Sequence, residues 1–221
     1  MNTKKLAFYL LAGILAGCIP VMSLHPLYTE KDIAFDGKII GTWADDSNET
    51  TWQFSDANKP EGAYNLIFTD KEGEKGLFVA HLVKLDSKLF LDVYPDEMPW
   101  DEKGPNKTKW RYNTVFLIPA HTFIKINAIE PQLKLLLTDD DDLKKLLKEN
   151  PNAIEHALIE DANRLVLTAP TKELQAFVLK YADDSRLFTE ESILTRKKTE
   201  KPQGTTGQKP DDVNGQKPNA D

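Results

Sequence analysis

The chain has 221 residues, 40 % hydrophobic and 29 % charged, which suffices for one folded domain with appendages. Its formal charge is −7, and without residues 1–17 it keeps 26 basic against 35 acidic side chains, or −9, a balance that repels a nucleic-acid backbone. A single cysteine, Cys18, excludes an intramolecular disulfide.

Residues 1–17 read MNTKKLAFYLLAGILAG, with a basic start at Lys4 and Lys5, an apolar stretch from Leu6 to Leu11 with Ile14, and a small-residue site at Ala16-Gly17. That order is the order of a signal peptide. The stretch Leu15-Ala16-Gly17-Cys18 resembles the lipobox of bacterial lipoproteins. In that family the thiol receives a diacylglycerol, the leader is cut before the cysteine, and the new amine is acylated. The resemblance implies lipidation at Cys18 and a membrane anchor, since several acyl chains hold where one does not. It also implies a place in the cell envelope, on the extracytoplasmic side. Ile19 follows the cysteine in place of the aspartate of an inner-membrane retention signal, which favours the outer membrane where two membranes exist. The competing readings are an uncleaved anchor from Leu6 to Met22, short for a span and broken by Pro20, and a secreted protein with a chance cysteine.

Residues 18–36 mix Pro20, Pro26 and polar side chains without a period, and read as a lipidated tether. From there to residue 198 strand signals dominate. The expected strands begin with Ile39 to Ala44. Trp52 and Phe54 then share one face of a second strand, and Tyr64, Leu66 and Phe68 one face of a third. Leu77 to Leu85 and Lys88 to Tyr94 read as a hairpin across Asp86-Ser87. A strand is expected at Thr114 to Pro119, and a second hairpin from His121 to Ile129 and Gln132 to Thr138, across Glu130-Pro131. The last strands are expected at Glu155 to Ile159, Arg164 to Thr168 and Ser192 to Lys197. Two helices interrupt them. Asp139 to Glu149 carries Leu143, Leu146 and Leu147 on one stripe, and Thr171 to Ala182 carries Leu174, Phe177, Val178 and Tyr181. The fold class is therefore mainly β with two helices, an antiparallel meander that closes into a barrel because closure removes exposed edges.

Gly41-Thr42-Trp43 resembles the Gly-x-Trp motif of lipocalins, and the run from Trp52 through Tyr94-Pro95 is similar to uncharacterised bacterial lipoproteins with a lipocalin-like domain. The resemblance covers most of 37–198, the expected barrel domain. It implies that Trp43 closes the barrel base and that Arg196, near the end of the last strand, packs over it. Trp52, Phe54, Tyr64 and Phe68 then line either a packed core or a ligand cavity. The long segment Pro95 to Asn113, carrying Met98, Trp100 and Trp110, reads as a lid or binding loop, or as a loop pinned to the barrel by its tryptophans.

Three further features carry less. Asp139 to Asp142 suits a helix start better than a calcium site, because the EF-hand glycine and distal glutamate are missing. His25, His81, His121 and His156 lie far apart with no metal-ligand spacing, and His81, in an apolar run, reads as a satisfied core histidine. Residues 199–221, with Val213 their only large aliphatic and Gly-Gln-Lys-Pro repeated at 207–210 and 215–218, read as a disordered tail, solvated or bound to cell wall or protein. No cofactor, metal or catalytic motif is expected. The leading reading is an anchored barrel that binds a small apolar or amphipathic ligand or lipid. Against it stand an envelope interaction protein with a filled barrel and, last, an enzyme of unnamed chemistry.

Overall fold

The computed structural model describes residues 20–47, 49–57, 61–96 and 118–197. Cys18, Trp100, Trp110 and the tail 199–221 lie outside them, as does the expected strand Thr114–Pro119 up to residue 117; Ile118 and Pro119 belong to no strand.

The strands in chain order are β1 (Met22–Ser23), β2 (Ile33–Ala34), β3 (Gly41–Ala44), β4 (Thr51–Asp56), β5 (Ala63–Thr69), β6 (Lys75–Leu85), β7 (Lys88–Pro95), β8 (Thr122–Ala128), β9 (Gln132–Thr138), β10 (His156–Ile159), β11 (Arg164–Leu167) and β12 (Phe188–Arg196). Helix α1 (Asp140–Glu149) follows β9, and α2 (Thr171–Lys180) follows β11. Eight of the strands, β3 to β9 with β12, pair antiparallel in a ring that closes where β12 meets β3. The fold is thus mainly β, with two helices and a closed eight-stranded antiparallel meander barrel. β2 lies beside β6 at Val83 and Leu82, just beyond the last β5 pair, Ala63 with His81.

Alternation of side chains across the barrel wall splits the apolar residues into two cores. The inward set includes Trp43, Phe54, Tyr64, Leu66, Leu82, Leu91, Leu133, Leu135 and Leu194. The outward residues Val83, Leu85, Phe90 and Phe123 would face water in a bare barrel; here they are covered by Leu143, Leu146, Leu174, Phe177 and Val178 of the two helices. That second core explains why the helices interrupt the meander: they lie outside the wall as a covering layer. β10 and β11, expected among the barrel strands, instead leave it and form a separate three-stranded sheet in the order β1-β11-β10. Leu165 and Leu167 of this sheet also pack into the outer core.

The aspartate run starts α1. Asp139 caps the helix, its Oδ1 accepting the amide N–H groups of Asp141 (2.9 Å) and Asp142 (3.1 Å). Asp140 is 1 % exposed; its carboxylate accepts the Leu165 amide and sits 2.9 Å from the Lys144 ammonium, fixing the helix to β11.

Residues 20–36 fall in the stretch read as a tether, yet they are built into the fold as a strap across the outside of the wall. Val21, Ser23 and Leu27 are each 0 % exposed. The Val21 amide donates to Thr138 Oγ1, Ser23 and His121 exchange both backbone hydrogen bonds at 2.8 Å, and the Leu27 amide donates to Asp92 Oδ2 at 2.7 Å.

Candidate functional site

The barrel has two unlike ends. One, the base, gathers the start of β3 and the end of β12. Trp43 is 0 % exposed there, its indole N–H donates to the Ile39 carbonyl at 2.8 Å, and the Arg196 guanidinium lies 4.1 Å from its ring centroid. Arg196 also donates to the carbonyls of Ile40 (2.6 Å) and Lys38. Gly41 has φ 136°, and a Cβ there would collide with that guanidinium, so glycine is what lets the arginine slide over the tryptophan. Tyr64, also 0 % exposed, accepts the Asp36 amide at 2.7 Å through its hydroxyl and stacks on Phe35 with ring centroids 5.0 Å apart. Hydrogen-bonded aromatics and an arginine seal the base.

The opposite end, the rim, gathers the start of β4 and the end of β5. Trp52 pairs with Trp43 across β3 and β4 and with Phe68 across β4 and β5, and Phe68 with Gly76 across β5 and β6. All face inward with Trp43, yet Trp52, Phe68 and Phe78 are only half-buried. Trp52 meets Phe68 edge-on at 5.3 Å. Gly76 leaves room for the Phe78 ring, which a Cβ would strike. Thr122 faces inward opposite Val93, and its buried hydroxyl has no partner among the described residues. Of the expected lining residues, Phe54 and Tyr64 thus belong to the packed interior and Trp52 and Phe68 to the rim. Residues 97–117 connect β7 to β8 at this same end.

A second cluster lies on the outer side of the wall, under the strap. Asp92, 0 % exposed, accepts the Leu27 amide on one oxygen and His121 Nδ1, at 2.7 Å, on the other. His81 stands directly across the β6–β7 hairpin from Asp92. Tyr28 of the strap tilts over His81 with ring centroids 4.4 Å apart, and Tyr94 over His121 at 4.5 Å. His81 is not the satisfied core histidine expected: its Nδ1 is buried without a partner among the described residues. Burial holds its pKa below the usual histidine value, against an opposing pull from Asp92 and with a further push from His121. Burial, then the charge of Asp92, raises the Tyr28 phenol above its usual value.

An Asp–His pair is the base half of many nucleophilic sites, so the neighbouring hydroxyl decides its chemistry. Ser23, bridged to His121, is fully buried and donates its hydroxyl to the His25 carbonyl at 2.8 Å. No metal-holding group of three or more histidine, cysteine or acidic residues occurs among the described residues. The bonds that Asp92 makes fasten the strap to the barrel. The hairpin register offered a signal for half of this cluster: counting outward from Asp86-Ser87 sets His81 opposite Asp92. His121 comes in across residues 97–117, whose path no local pattern specifies.

His81 gives the domain a pH response. A buried imidazole with a lowered pKa binds its proton more weakly folded than unfolded, where the pKa is about 6.5. Its stabilising contribution is full above that value and is lost as pH falls below it toward the folded-state pKa. We expect the melting temperature to fall between pH 7.5 and 5, and to fall less steeply in His81→Phe, which keeps the stack on Tyr28 and cannot take a proton. Identical slopes in melts of both proteins across that range would exclude His81 as the source.

Among the described residues no helix is long and apolar enough to cross a membrane. In comparison with known proteins, no family model, no curated protein and no solved structure matches the chain.

Proposed function

We propose that this protein is a membrane-anchored lipoprotein of the cell envelope, lipidated at Cys18, whose barrel binds a small apolar or amphipathic ligand or lipid and catalyses no reaction. The observation that carries the binding reading is the inequality of the two ends. At the base the inward aromatics Trp43 and Tyr64 are fully buried and hydrogen-bonded; at the rim inward-facing Trp52, Phe68 and Phe78 remain half-buried. Aromatic surface facing inward yet still solvated gains free energy when an apolar molecule covers it, at roughly 25 cal/mol per Å². The unpartnered Thr122 hydroxyl beside that surface supports a ligand with one polar group, because an orphaned buried hydroxyl costs about 1–3 kcal/mol until something pairs with it.

The complete burial of Phe54, Tyr64, Leu66 and Leu91 favours a second reading, a filled barrel that works through its surface as an envelope interaction protein. Native mass spectrometry of the mature chain, purified gently from bacterial membranes, separates the two. The binding reading expects a reproducible added mass beyond the covalent lipid, reduced several-fold in Trp52→Ala. Thr122→Val should reduce it less while leaving the unliganded protein as stable as before or more so. A clean covalent mass, with no thermal stabilisation by a panel of fatty acids and phospholipids, would leave the filled barrel as the answer.

A further inference from the structure

The small sheet β1-β11-β10 is apolar on both faces; one packs on the outer core, and the other is buried only at its centre, where Val166 is 8 % exposed. Ser23, Leu165 and Leu167 turn toward the outer core and are 0–3 % exposed. The other face runs across the paired residues Met22, Val166 and Ala157, and continues to Ile159, which pairs with Arg164. Leu24 beside this face and Ile159 at its end are 41 % and 48 % exposed, and Leu158, paired with Leu165 on the opposite face at the sheet's edge, is 54 % exposed. Half of the large exposed apolar residues of the described chain therefore sit on one small element.

Where the chain enters that element gives the face its partner. β1 runs parallel to β11, so the residues before Met22 leave the sheet at the end where Arg164 pairs with Ile159. Val21, already buried, is three residues from Cys18, and three residues span at most about 10 Å. β10 lies two strand spacings from β1, again about 10 Å. A lipid on Cys18 would therefore hold the uncovered face within a headgroup layer's thickness of the membrane. The Val21 amide is tied to Thr138, the last residue of β9, and Ser23 to His121, just before β8; both lie at the rim end of the barrel.

We propose that the uncovered face of the β1-β11-β10 sheet rests on the lipid surface that holds the Cys18 anchor, with the barrel rim turned toward the bilayer. This inference rests on the reading of Cys18 as the lipidated residue. It makes the source of the barrel's ligand the membrane itself: an amphiphile leaving the bilayer meets Trp52 and Phe68 without crossing open water. Exposed Glu160 and Asp161 follow Ile159 and outnumber Arg164, so the face suits zwitterionic phospholipid over anionic.

The test uses the full mature chain in phosphatidylcholine vesicles, with an environment-sensitive fluorophore on a single introduced cysteine. Ile159→Cys and Leu24→Cys place the probe on the sheet at exposed positions, which keeps the fold intact; Ser87→Cys places it on the exposed β6–β7 turn at the base. The proposal expects blue-shifted emission at 159 and 24, quenched at least twofold by spin-labelled lipid, with neither effect at 87. Replacing a third of the lipid by phosphatidylglycerol should weaken both effects. Should the protein float with the vesicles, its Cys18 lipid confirmed by mass, while probes at 159 and 24 behave like that at 87, the docking is overturned and the anchor stands. An unmodified Cys18 and no flotation would overturn the anchor reading, and the docking with it.

Discussion

Replacing Asp92 by alanine is expected to lower stability by about 3–5 kcal/mol, because it strips one buried and one half-buried donor of a charged acceptor at once. The Leu27 amide and His121 Nδ1 both end on this carboxylate, which is 0 % exposed. For a domain of this size such a loss corresponds to roughly 6–20 °C in melting temperature. The loss should not be spread evenly. Val21, Ser23 and Leu27 hold the strap to the wall, and at its middle Leu27 is bonded by two side chains, Asp92 at its amide and Gln175 of α2 at its carbonyl. Hydrogen exchange should therefore rise first in residues 20–34, while the β8–β9 amides keep their protection. Asp92→Asn, whose amide oxygen can accept one of the two bonds, should lose less. A melting temperature within ~2 °C of the parent, or exchange that rises equally in every strand, would show that Asp92 does not hold the strap and that its backbone bonds and apolar burial do.

The strap also marks where the sequence stopped being legible. The hairpin β6–β7 could be read because alternation runs unbroken on both sides of Asp86-Ser87, and the turn fixes the register. Both helices were legible for the same kind of reason: the stripe of Leu143, Leu146 and Leu147, and that of Leu174, Phe177 and Val178, allow only one periodicity. β1 and β2 are two residues each, in a stretch with prolines and no period, and they exist because an edge was available to pair with. Local pattern cannot announce a strand whose cause is its partner. β10 and β11 were visible as strands, but whether a strand joins the barrel or leaves it depends on long-range pairing. The same limit hid half of the candidate chemistry. Trp52 and Phe68 stood out by alternation, and Trp43 and Arg196 through the resemblance to lipocalins, whereas Asp92 drew no notice: an aspartate inside an apolar strand gains meaning only when Leu27 and His121 arrive from distant parts of the chain.

Trp43→Ala tests the other end of the molecule, and its expected cost, about 3–5 kcal/mol, comes from the void left by the largest fully buried side chain among the described residues. Arg196 makes the prediction more specific than a cavity. Its guanidinium covers the indole but is also bonded to the carbonyls of Ile40 and Lys38, so it stays in place when the ring is removed. Arg196→Ala should therefore cost less than Trp43→Ala, since the indole keeps its burial and its bond to Ile39. The double variant should show a coupling of about 0.5–1 kcal/mol, the worth of a cation–π contact near the surface. Urea denaturation of the four proteins measures all three terms. Purely additive costs would mean that the guanidinium works only through the carbonyls. Trp43 and Trp52 are partners across β3 and β4, yet the Trp43 indole is buried beneath Arg196 while Trp52 stays half-buried. Ligand mass retained by folded Arg196→Ala but lost from Trp52→Ala would therefore assign stability to one end of the barrel and binding to the other.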